Sequence, residues 1–434
     1  MEGLIGFPVF ILALLVFLAT GTPVAVATGL LGVIGVYLFL PHAAITQLGN
    51  IAFSQPANFV LVVVPLFVMM GEALAATTVG RDLFTAAQIW LRRLPGALAV
   101  GTIIACAGFG AVCGSSPVTA ATIGGWAVPE MMRKGYSPRL ALGAAAAGGT
   151  LGILIPPSIP MILYGVITET SIGALFIAGI VPGLLLTLLL SATVFIQVMR
   201  NPALAPRATE GLATRERWTS LRAVIPVAIL ALLVLSSIYA GVATPSEAGA
   251  VGALGALIVA AALGALTRAV TRRILHNTVR TTAMFILLII GGLFSSFVLT
   301  RLGIPQATAK MIIEASVAPW IILVLINLLL IVLGMFMDPM SILVIVVPVF
   351  FPTVVALGYD PVGFGIVITI NLEIAAISPP VGFNLFVLKT VIPGVDMRDI
   401  IAGSLIFMVP LALGIGLLIA WPEIALFLPR LMRN

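Results

Sequence analysis

Two short clusters of oxygen-bearing side chains interrupt strongly apolar stretches of the sequence. The first, GAVCGSSPVTAATIG, carries Ser115, Ser116 and Thr119, and the second, GMFMDPMSILV, carries Asp338 and Ser341. Hydroxyl and carbonyl oxygens can replace the water around a hard monovalent cation such as Na⁺. A carboxylate in an apolar segment is costly unless it is paired or bound to a metal ion. The clusters therefore predict a cation site, although Asp338 and the hydroxyl groups could instead only cap helices.

A Pro-Pro pair follows each cluster, Pro156 and Pro157 in GTLGILIPPS and Pro379 and Pro380 in NLEIAAISPP. Proline removes a backbone donor and clashes with the preceding turn, so each pair should interrupt a helix. An interruption exposes carbonyl groups, and the half-helix beyond it directs the positive end of its dipole toward an anion. These stretches therefore predict sites for a cation and an anion.

The composition places both clusters in a membrane. Of the 434 residues, 61% are hydrophobic and 8% are charged, and the mean hydropathy is +1.25. An ordinary soluble domain has about 25% charged residues. We expect an all-α polytopic membrane protein with about ten spans of about 20 apolar residues each, the first of which is not a signal peptide. The expected spans are residues 4–19, 23–40, 59–77, 139–168, 173–199, 223–241, 248–266, 281–299, 362–388 and 400–420, and re-entrant hairpins are expected at 97–131 and 319–357.

The basic residues favour one side of the membrane in this arrangement. Of the 21 lysines and arginines, all but Arg301, Lys310, Arg430 and Arg433 fall on one face. The positive-inside rule makes that face cytoplasmic and predicts that both termini are periplasmic. The net charge of +6 is spread over several loops beside spans, so it does not indicate a nucleic-acid surface.

Other function classes lack support in the sequence. Cys106 and Cys113 are interpreted as small packing residues, and His42 and His276 lie far apart in connecting stretches. There is no HExxH, CxxC or Walker loop, so no ATP site, organic cofactor or transition-metal site is predicted. A serine hydrolase that used the first cluster would need a general base, and no histidine or lysine is expected at mid-membrane. The interrupted helices also disfavour a passive channel.

The chain contains an inverted repeat. Residues 128–158 align without a gap on residues 351–381, which superimposes a GYxP corner and both Pro-Pro pairs. The first corner is rich in basic residues and the second has none, so the two corners should face opposite sides of the membrane. Inverted repeats with interrupted helices are typical of secondary transporters whose binding site lies at the repeat interface. Glu373, one or two turns before the second break, could pair internally or ionise during transport.

The motifs together resemble the large membrane subunit of tripartite ATP-independent periplasmic (TRAP) transporters. They occur in order along the chain as TGTPVAVATGL, PLFVMMGEAL, GAVCGSSPVTAATIG, PEMMRKGYSPRLA, GTLGILIPPSIPMILYG, GMFMDPMSILVIVVPVFFP and SPPVGFNLFVLK. The resemblance implies an inverted-repeat elevator fold that imports small organic acids, such as a dicarboxylate or sialic acid, with Na⁺ across the bacterial inner membrane. It also implies two partners, a small membrane subunit on a separate chain and a periplasmic substrate-binding protein.

The resemblance also assigns candidate ligands to positions of this sequence. The implied sodium ligands are Ser115, Ser116, Thr119, Gly149, Pro156, Met337, Asp338, Ser341, Ser378, Pro379 and Gly382. The implied substrate ligands are Ser116, Pro157, Ser158, Pro380 and Asn384. The first tip reads SSP where related sequences often carry an extra glycine or an SSV-like run, so the individual oxygen ligands remain open there.

These expectations divide the chain into seven segments. They are N-terminal scaffold helices (1–78), a cytoplasmic arm helix (79–96), a first transport repeat (97–200), a cytoplasmic linker (201–222), second scaffold and arm helices (223–318), a second transport repeat (319–399) and a C-terminal helix (400–434). The basic stretches 81–93 and 267–280 are each predicted as an amphipathic surface helix, with an ordinary loop as the alternative. The alternative to a tripartite system is a stand-alone sodium/carboxylate symporter, which the genes beside this one would distinguish.

Overall fold

The computed structural model describes residues 2–206, 214–314 and 317–432, and every regular element in these ranges is a helix. The all-α prediction is therefore confirmed for this part of the chain. Residues 207–213 of the expected linker, and Arg433 of the charge argument, lie outside the described residues.

The helices make the chain a multi-pass membrane protein. Six helical stretches among the described residues are long and apolar enough to cross a membrane: Ile172–Arg200, Ser220–Tyr239, Pro245–Ala262, Arg268–Arg301, Pro339–Ala356 and Met397–Ala420. A bent pair, His42–Ser54 with Phe59–Ala75, would be a seventh, with an angle of 44° between its halves. The other expected spans correspond to shorter apolar helices or to helices interrupted at a break.

The N-terminal part consists of α1 (Glu2–Ala19), α2 (Val24–Phe39), α3 (Ile45–Ser54), α4 (Val63–Ala75) and α5 (Val79–Leu91). The sequence reading did not assign α3. The predicted helix in the basic stretch 81–93 is present as α5, in which Leu83 and Phe84 are buried and Trp90 is about half exposed. Its role as a cytoplasmic arm stays a prediction.

The first hairpin and the first interrupted helix follow in the order that the sequence predicts. They comprise α6 (Ala97–Cys113), α7 (Ser116–Arg133), α8 (Pro138–Thr150), α9 (Ile159–Thr168) and α10 (Ile172–Arg200). Helices α6 and α7 pack on each other, and only Gly114 and Ser115 separate them. Gly114 has φ +66°, a left-handed conformation that glycine adopts at little cost. A 3₁₀ turn and the Pro-Pro pair separate α8 from α9.

In the middle of the chain, two helices differ in extent from those predicted by the sequence. It forms α11 (Thr214–Tyr239), α12 (Pro245–Ala262), α13 (Arg268–Arg301) and α14 (Ile304–Glu314). Helix α11 begins nine residues before the expected span, inside the segment predicted as a linker. The basic stretch 267–280 is not a separate surface helix, because α13 continues through it into the span. No proline or glycine lies between residues 268 and 290 to end this helix.

The second repeat has the same order of elements as the first. It contains α15 (Pro319–Gly334), α16 (Pro339–Ala356), α17 (Pro361–Ile377) and α18 (Phe383–Val391), followed by α19 (Met397–Ala420) and α20 (Glu423–Met432). Helices α15 and α16 form the second hairpin, and α17 and α18 are the two halves of the second interrupted helix. The Pro156–Pro157 and Pro379–Pro380 peptide bonds are both cis.

Glycine allows α8 and α19 to approach closely. A Cβ atom added to Gly403 in α19 would lie 2.0 Å from the Arg139 carbonyl oxygen in α8, and one added to Gly143 would lie 2.3 Å from the Gly403 carbonyl oxygen. Arg139 also forms an ion pair with Asp399 at 2.9 Å. Small residues at such crossings are a common basis of helix packing in membranes. Helix α8, the first half of the first interrupted helix, therefore packs closely on α19, which follows the second interrupted helix.

Candidate functional site

One cavity brings together both hairpin tips and both helix interruptions. Its volume is about 500 Å³, and residues 114–117 of the first tip and residues 338–340 of the second form part of its wall. Ile153 and Ile159 contribute from the two sides of the first interruption, and residues 383–384 contribute from the start of α18. The sequence argument predicted that these four segments would meet, and the structure places them around one space.

A direct hydrogen bond joins the first tip to the second interruption. The Ser116 hydroxyl lies 3.0 Å from Asn384 Oδ1, and Asn384 Nδ2 lies 2.8 Å from the Ser116 oxygen. Asn384 Nδ2 also donates to the Ala146 carbonyl of α8 at 3.2 Å. Ser116 and Asn384 are 268 positions apart in sequence, so this contact connects the two repeats at the cavity.

Three of the described helices begin at the cavity wall without a side-chain cap: α2, α7 and α18. Within the described residues, no side chain caps α7 at Ser115 or α18 at Gly382. By contrast, Ser158 caps α9 by accepting from Met161 N at 3.3 Å, and Asp338 caps α16. The free amide groups and the dipole of an uncapped helix start favour an anion. The start of α2 offers no polar side chain at Pro23, Val24 or Ala25. The starts of α7 and α18, with Ser116 and Asn384, are therefore the best place in this cavity for a carboxylate.

Asp338 is an N-cap, as one of the two sequence interpretations predicts. Its Oδ2 accepts from Met340 N at 3.1 Å and from Ser341 N at 3.2 Å. The buried Ser341 hydroxyl also donates to Asp338 Oδ1. The capping interpretation is confirmed. A capping carboxylate keeps free lone pairs, so the cap is compatible with sodium binding by Asp338, which remains a prediction.

A second candidate cation position lies between the first tip and the first interruption. Thr119 is fully buried, and apart from an interaction with the Cys113 thiol its Oγ1 has no hydrogen-bond partner among the described residues. A Cβ atom added to Gly152 would lie 2.5 Å from Thr119 Oγ1 and 2.9 Å from the Ser115 carbonyl oxygen. A buried hydroxyl that lacks a partner is unfavourable, and a bound Na⁺ would satisfy it. The donor set fits this ion because both atoms are oxygens.

Contacts around each interruption hold it against its own hairpin. Ile159 N donates to the Gly114 carbonyl at 3.3 Å, and Val381 N donates to the Met335 carbonyl at 3.2 Å. Ser158 donates its hydroxyl to the Ile153 carbonyl. These bonds satisfy backbone groups that a broken helix would leave without partners.

The predicted ligands fall into two groups. Ser115, Ser116, Asp338 and Asn384 line the cavity. The others lie outside its wall and remain predictions: Thr119, Gly149, Pro156, Pro157, Ser158, Met337, Ser341, Ser378, Pro379, Pro380 and Gly382. The first Pro-Pro pair is buried, whereas Pro380 of the second is exposed.

The sequence reading missed a carboxylate in the cavity wall. Glu72 of α4 lines the cavity and accepts a hydrogen bond from Asn277 Nδ2 of α13 at 2.8 Å. The sequence did contain a signal for it, because an acid inside the apolar stretch PLFVMMGEAL is costly without a role.

Glu373 does not line the cavity. It is fully buried in α17, and neither carboxylate oxygen has a partner within the described ranges.

Comparisons with known proteins agree over almost the whole chain. A family model described as "Tripartite ATP-independent periplasmic transporter, DctM component" matches residues 11–424. The C4-dicarboxylate TRAP transporter large permease protein DctM of Pseudomonas aeruginosa is 36% identical over 405 residues, covering 93% of both chains. The sialic acid TRAP transporter large permease protein SiaM of Vibrio cholerae is 34% identical, covering 86% of this chain and 87% of SiaM. The fold is similar to the crystal structure of the Alcanivorax borkumensis YdaH transporter, with a TM-score of 0.61 and 18% identity over 96% of this chain and 99% of that one.

Proposed function

We propose that this chain, which belongs to the DctM component family of tripartite ATP-independent periplasmic transporters, imports a small organic anion together with Na⁺. Members of this family are transporter permease subunits, so the chain is not an enzyme. The observation that carries the proposal is the pair of uncapped helix starts at α7 and α18, joined by the Ser116 and Asn384 hydrogen bond inside the cavity.

Sodium coupling is supported by the oxygen atoms beside this anion position. Thr119 Oγ1 is buried with no partner among the described residues beyond the Cys113 thiol, and the Asp338 carboxylate lines the same cavity as Ser116. A cation bound at either place would lower the electrostatic cost of an anion nearby, since opposite charges attract strongly where water is excluded. Each ion would then favour binding of the other, which is the basis of symport.

The assembly proposed for the chain follows from the family. A tripartite transporter implies a small membrane subunit and a periplasmic binding protein that delivers the substrate, in the bacterial inner membrane. We propose that the two repeats have opposite orientations and move as an elevator, because each combines a hairpin with an interrupted helix. Relatives are named for C4-dicarboxylate and for sialic acid, so a carboxylate is the common chemical group.

The substitution Asn384→Asp tests the anion position without changing the shape of the side chain. It places a negative charge at the start of α18, so carboxylate binding should weaken at least about tenfold. The measurement is sodium-dependent heat stabilisation of the purified complex by a panel of mono- and dicarboxylates. Asn201→Asp, at an exposed turn, is the matched control. Unchanged binding by Asn384→Asp would contradict the proposed anion site.

A further inference from the structure

We infer that Glu72 makes carboxylate binding in the cavity depend on Na⁺. Its charge opposes an anion that enters alone, and a bound cation removes this opposition. The inference rests on the proposed function, because it assumes that a carboxylate binds at Ser116 and Asn384. It adds a residue of α4, which lies outside both hairpins and both interrupted helices.

The side chains of the cavity wall do not balance the charge of an anion. Among the described residues that line the cavity, Glu72 and Asp338 are the ones with carboxylates, and none is lysine, arginine or histidine. The positive potential of this wall comes from the uncapped starts of α2, α7 and α18, each equivalent to about half an elementary charge. A carboxylate that binds there therefore meets two full negative charges and no full positive one.

Of these two carboxylates, Glu72 is the less compensated. Asp338 accepts two backbone N–H groups at the start of α16, the positive end of that helix. Glu72 lies instead in the last turn of α4, at the negative end of the helix dipole. Its hydrogen-bond donor, the Asn277 amide, is neutral, and within the described residues no ion pair includes Glu72. Glu72 and the end of α4 therefore both oppose an anion in the cavity.

The packing of α4 holds this charge beside the first hairpin tip. The residue before Glu72 is Gly71, where an added Cβ atom would lie 2.9 Å from the carbonyl oxygen of Cys113. Cys113 ends α6, and the tip begins at the next residue. The hydrogen bond from Asn277 of α13 restrains the carboxylate. The backbone of α4 thus touches the hairpin tip that carries Ser116, and like charges repel strongly at short range where water is excluded.

The neighbours of Glu72 in the cavity wall do not favour coordination of a cation by this residue. Hard cations are bound by several oxygen ligands. The other side chains that α4 and α13 contribute to the wall are apolar apart from Thr281, and include Val68 and Phe285. Repulsion of an anion is therefore the role that this environment supports. A cation bound near the first tip would offset both the Glu72 charge and the substrate charge.

Glu72→Gln removes the charge and keeps the hydrogen bond, because a glutamine oxygen can still accept from the Asn277 amide. In sodium-free buffer, we expect this variant to bind a carboxylate at least about tenfold more tightly than the wild type, since the repulsion is lost. In saturating sodium the two should agree within about threefold, because the cation already offsets the charge. The measurement is isothermal titration calorimetry of the purified complex with butanoate, butanedioate and sialic acid, with choline replacing sodium in one buffer.

Two further variants separate the position of the charge from the net charge of the protein. Glu169→Gln also removes one carboxylate, at an exposed turn outside this cavity wall, and should bind like the wild type in both buffers. Glu72→Asp keeps the charge on a shorter side chain and should retain the sodium requirement. Binding in saturating sodium also verifies that each variant is folded.

The outcomes distinguish the inference from the proposed function. Equal binding by Glu72→Gln and the wild type in sodium-free buffer would overturn the inference. A Glu72→Gln variant that needs more sodium than the wild type would also overturn it, since Glu72 would then be a sodium ligand. Both results leave the anion site intact if Asn384→Asp weakens carboxylate binding in sodium. Binding in sodium that Asn384→Asp does not weaken, or no binding of any of the three acids, would instead overturn the proposed function.

Discussion

At the residue scale, Asp338 combines a structural role with a proposed ionic one. The position of this carboxylate between two apolar arms predicted both a helix cap and a sodium ligand. The structure confirms the cap through the bonds to Met340 N and Ser341 N. The remaining question is whether its charge also binds Na⁺, and a substitution that keeps the cap can answer it.

Asp338→Asn should raise the sodium concentration for half-maximal uptake several-fold while the protein remains folded. Asparagine caps helices about as well as aspartate, but the negative charge beside the cation is lost. Asp360→Asn is the matched control, because Asp360 caps α17 in the same way, accepting from Val362 N at 2.8 Å and Gly363 N at 3.1 Å, and lies outside the cavity wall. The measurement is sodium-dependent uptake into proteoliposomes. An unchanged sodium dependence in Asp338→Asn would leave Asp338 as a cap only.

Thr119→Val should likewise raise the sodium concentration for half-maximal uptake without destabilising the fold. Apart from the weakly bonding Cys113 thiol, its Oγ1 has no protein partner among the described residues, so replacing the hydroxyl removes no strong protein hydrogen bond. Thr119→Ser keeps the oxygen and should retain sodium dependence. Thr353→Val is a matched control in α16, because Thr353 is also fully buried with an unpartnered hydroxyl. Equal sodium dependence in all three variants and the wild type would exclude Thr119 as a ligand.

The contact between Ser116 and Asn384 marks the limit of what the sequence predicted at this scale. Both residues were candidate ligands, but their hydrogen bond depends on how two distant repeats pack, and no local pattern encodes that distance. Glu72 was missed for a different reason. Asp338 and Glu373 lie beside a hairpin tip or a helix break, whereas Glu72 lies in an otherwise regular helix.

At the element scale, hairpins and interrupted helices were predictable because proline and glycine encode them locally. The tip at Gly114 and the Pro-Pro pairs fix where helices end, whatever surrounds them. The extent of α11 and α13 was not predictable in the same way. Their polar first turns resemble loops by composition, and they are helical because nothing in the sequence ends the helix that continues into the membrane.

Gly403→Ala should destabilise the packing of α8 against α19 by about 1–3 kcal/mol. The added methyl group would meet the Arg139 carbonyl oxygen at 2.0 Å, which is backbone and cannot rotate away. Gly416→Ala is the control in the same helix, because a Cβ atom there would meet nothing within 4 Å. Thermal unfolding in detergent compares the two. A Gly403→Ala midpoint equal to that of Gly416→Ala would contradict the close approach of these helices.

At the scale of the whole molecule, the inverted repeat requires equivalent corners to face opposite sides of the membrane. Lys134 and Ala356 are exposed and occupy nearly equivalent positions, at the ends of α7 and α16. The predicted topology places Lys134 in the cytoplasm because its neighbours are basic. The arrangement of the repeats therefore predicts a periplasmic Ala356.

Lys134→Cys and Ala356→Cys should label from opposite sides with a membrane-impermeant thiol reagent. Both belong in a background that lacks the buried Cys106 and Cys113. Ala356→Cys should react in intact cells and Lys134→Cys only after the membrane is opened. Labelling of both variants from one side would contradict the inverted repeat.

The central claim is that the cavity couples the import of an organic anion to Na⁺ without ATP. The most direct measurement is uptake of a radiolabelled carboxylate by proteoliposomes that contain this chain, its small subunit and the binding protein from the same gene cluster. An inward sodium gradient with no ATP should drive accumulation, and Asn384→Asp should abolish it. Accumulation that persists in sodium-free buffer, driven by a proton gradient alone, would contradict the account.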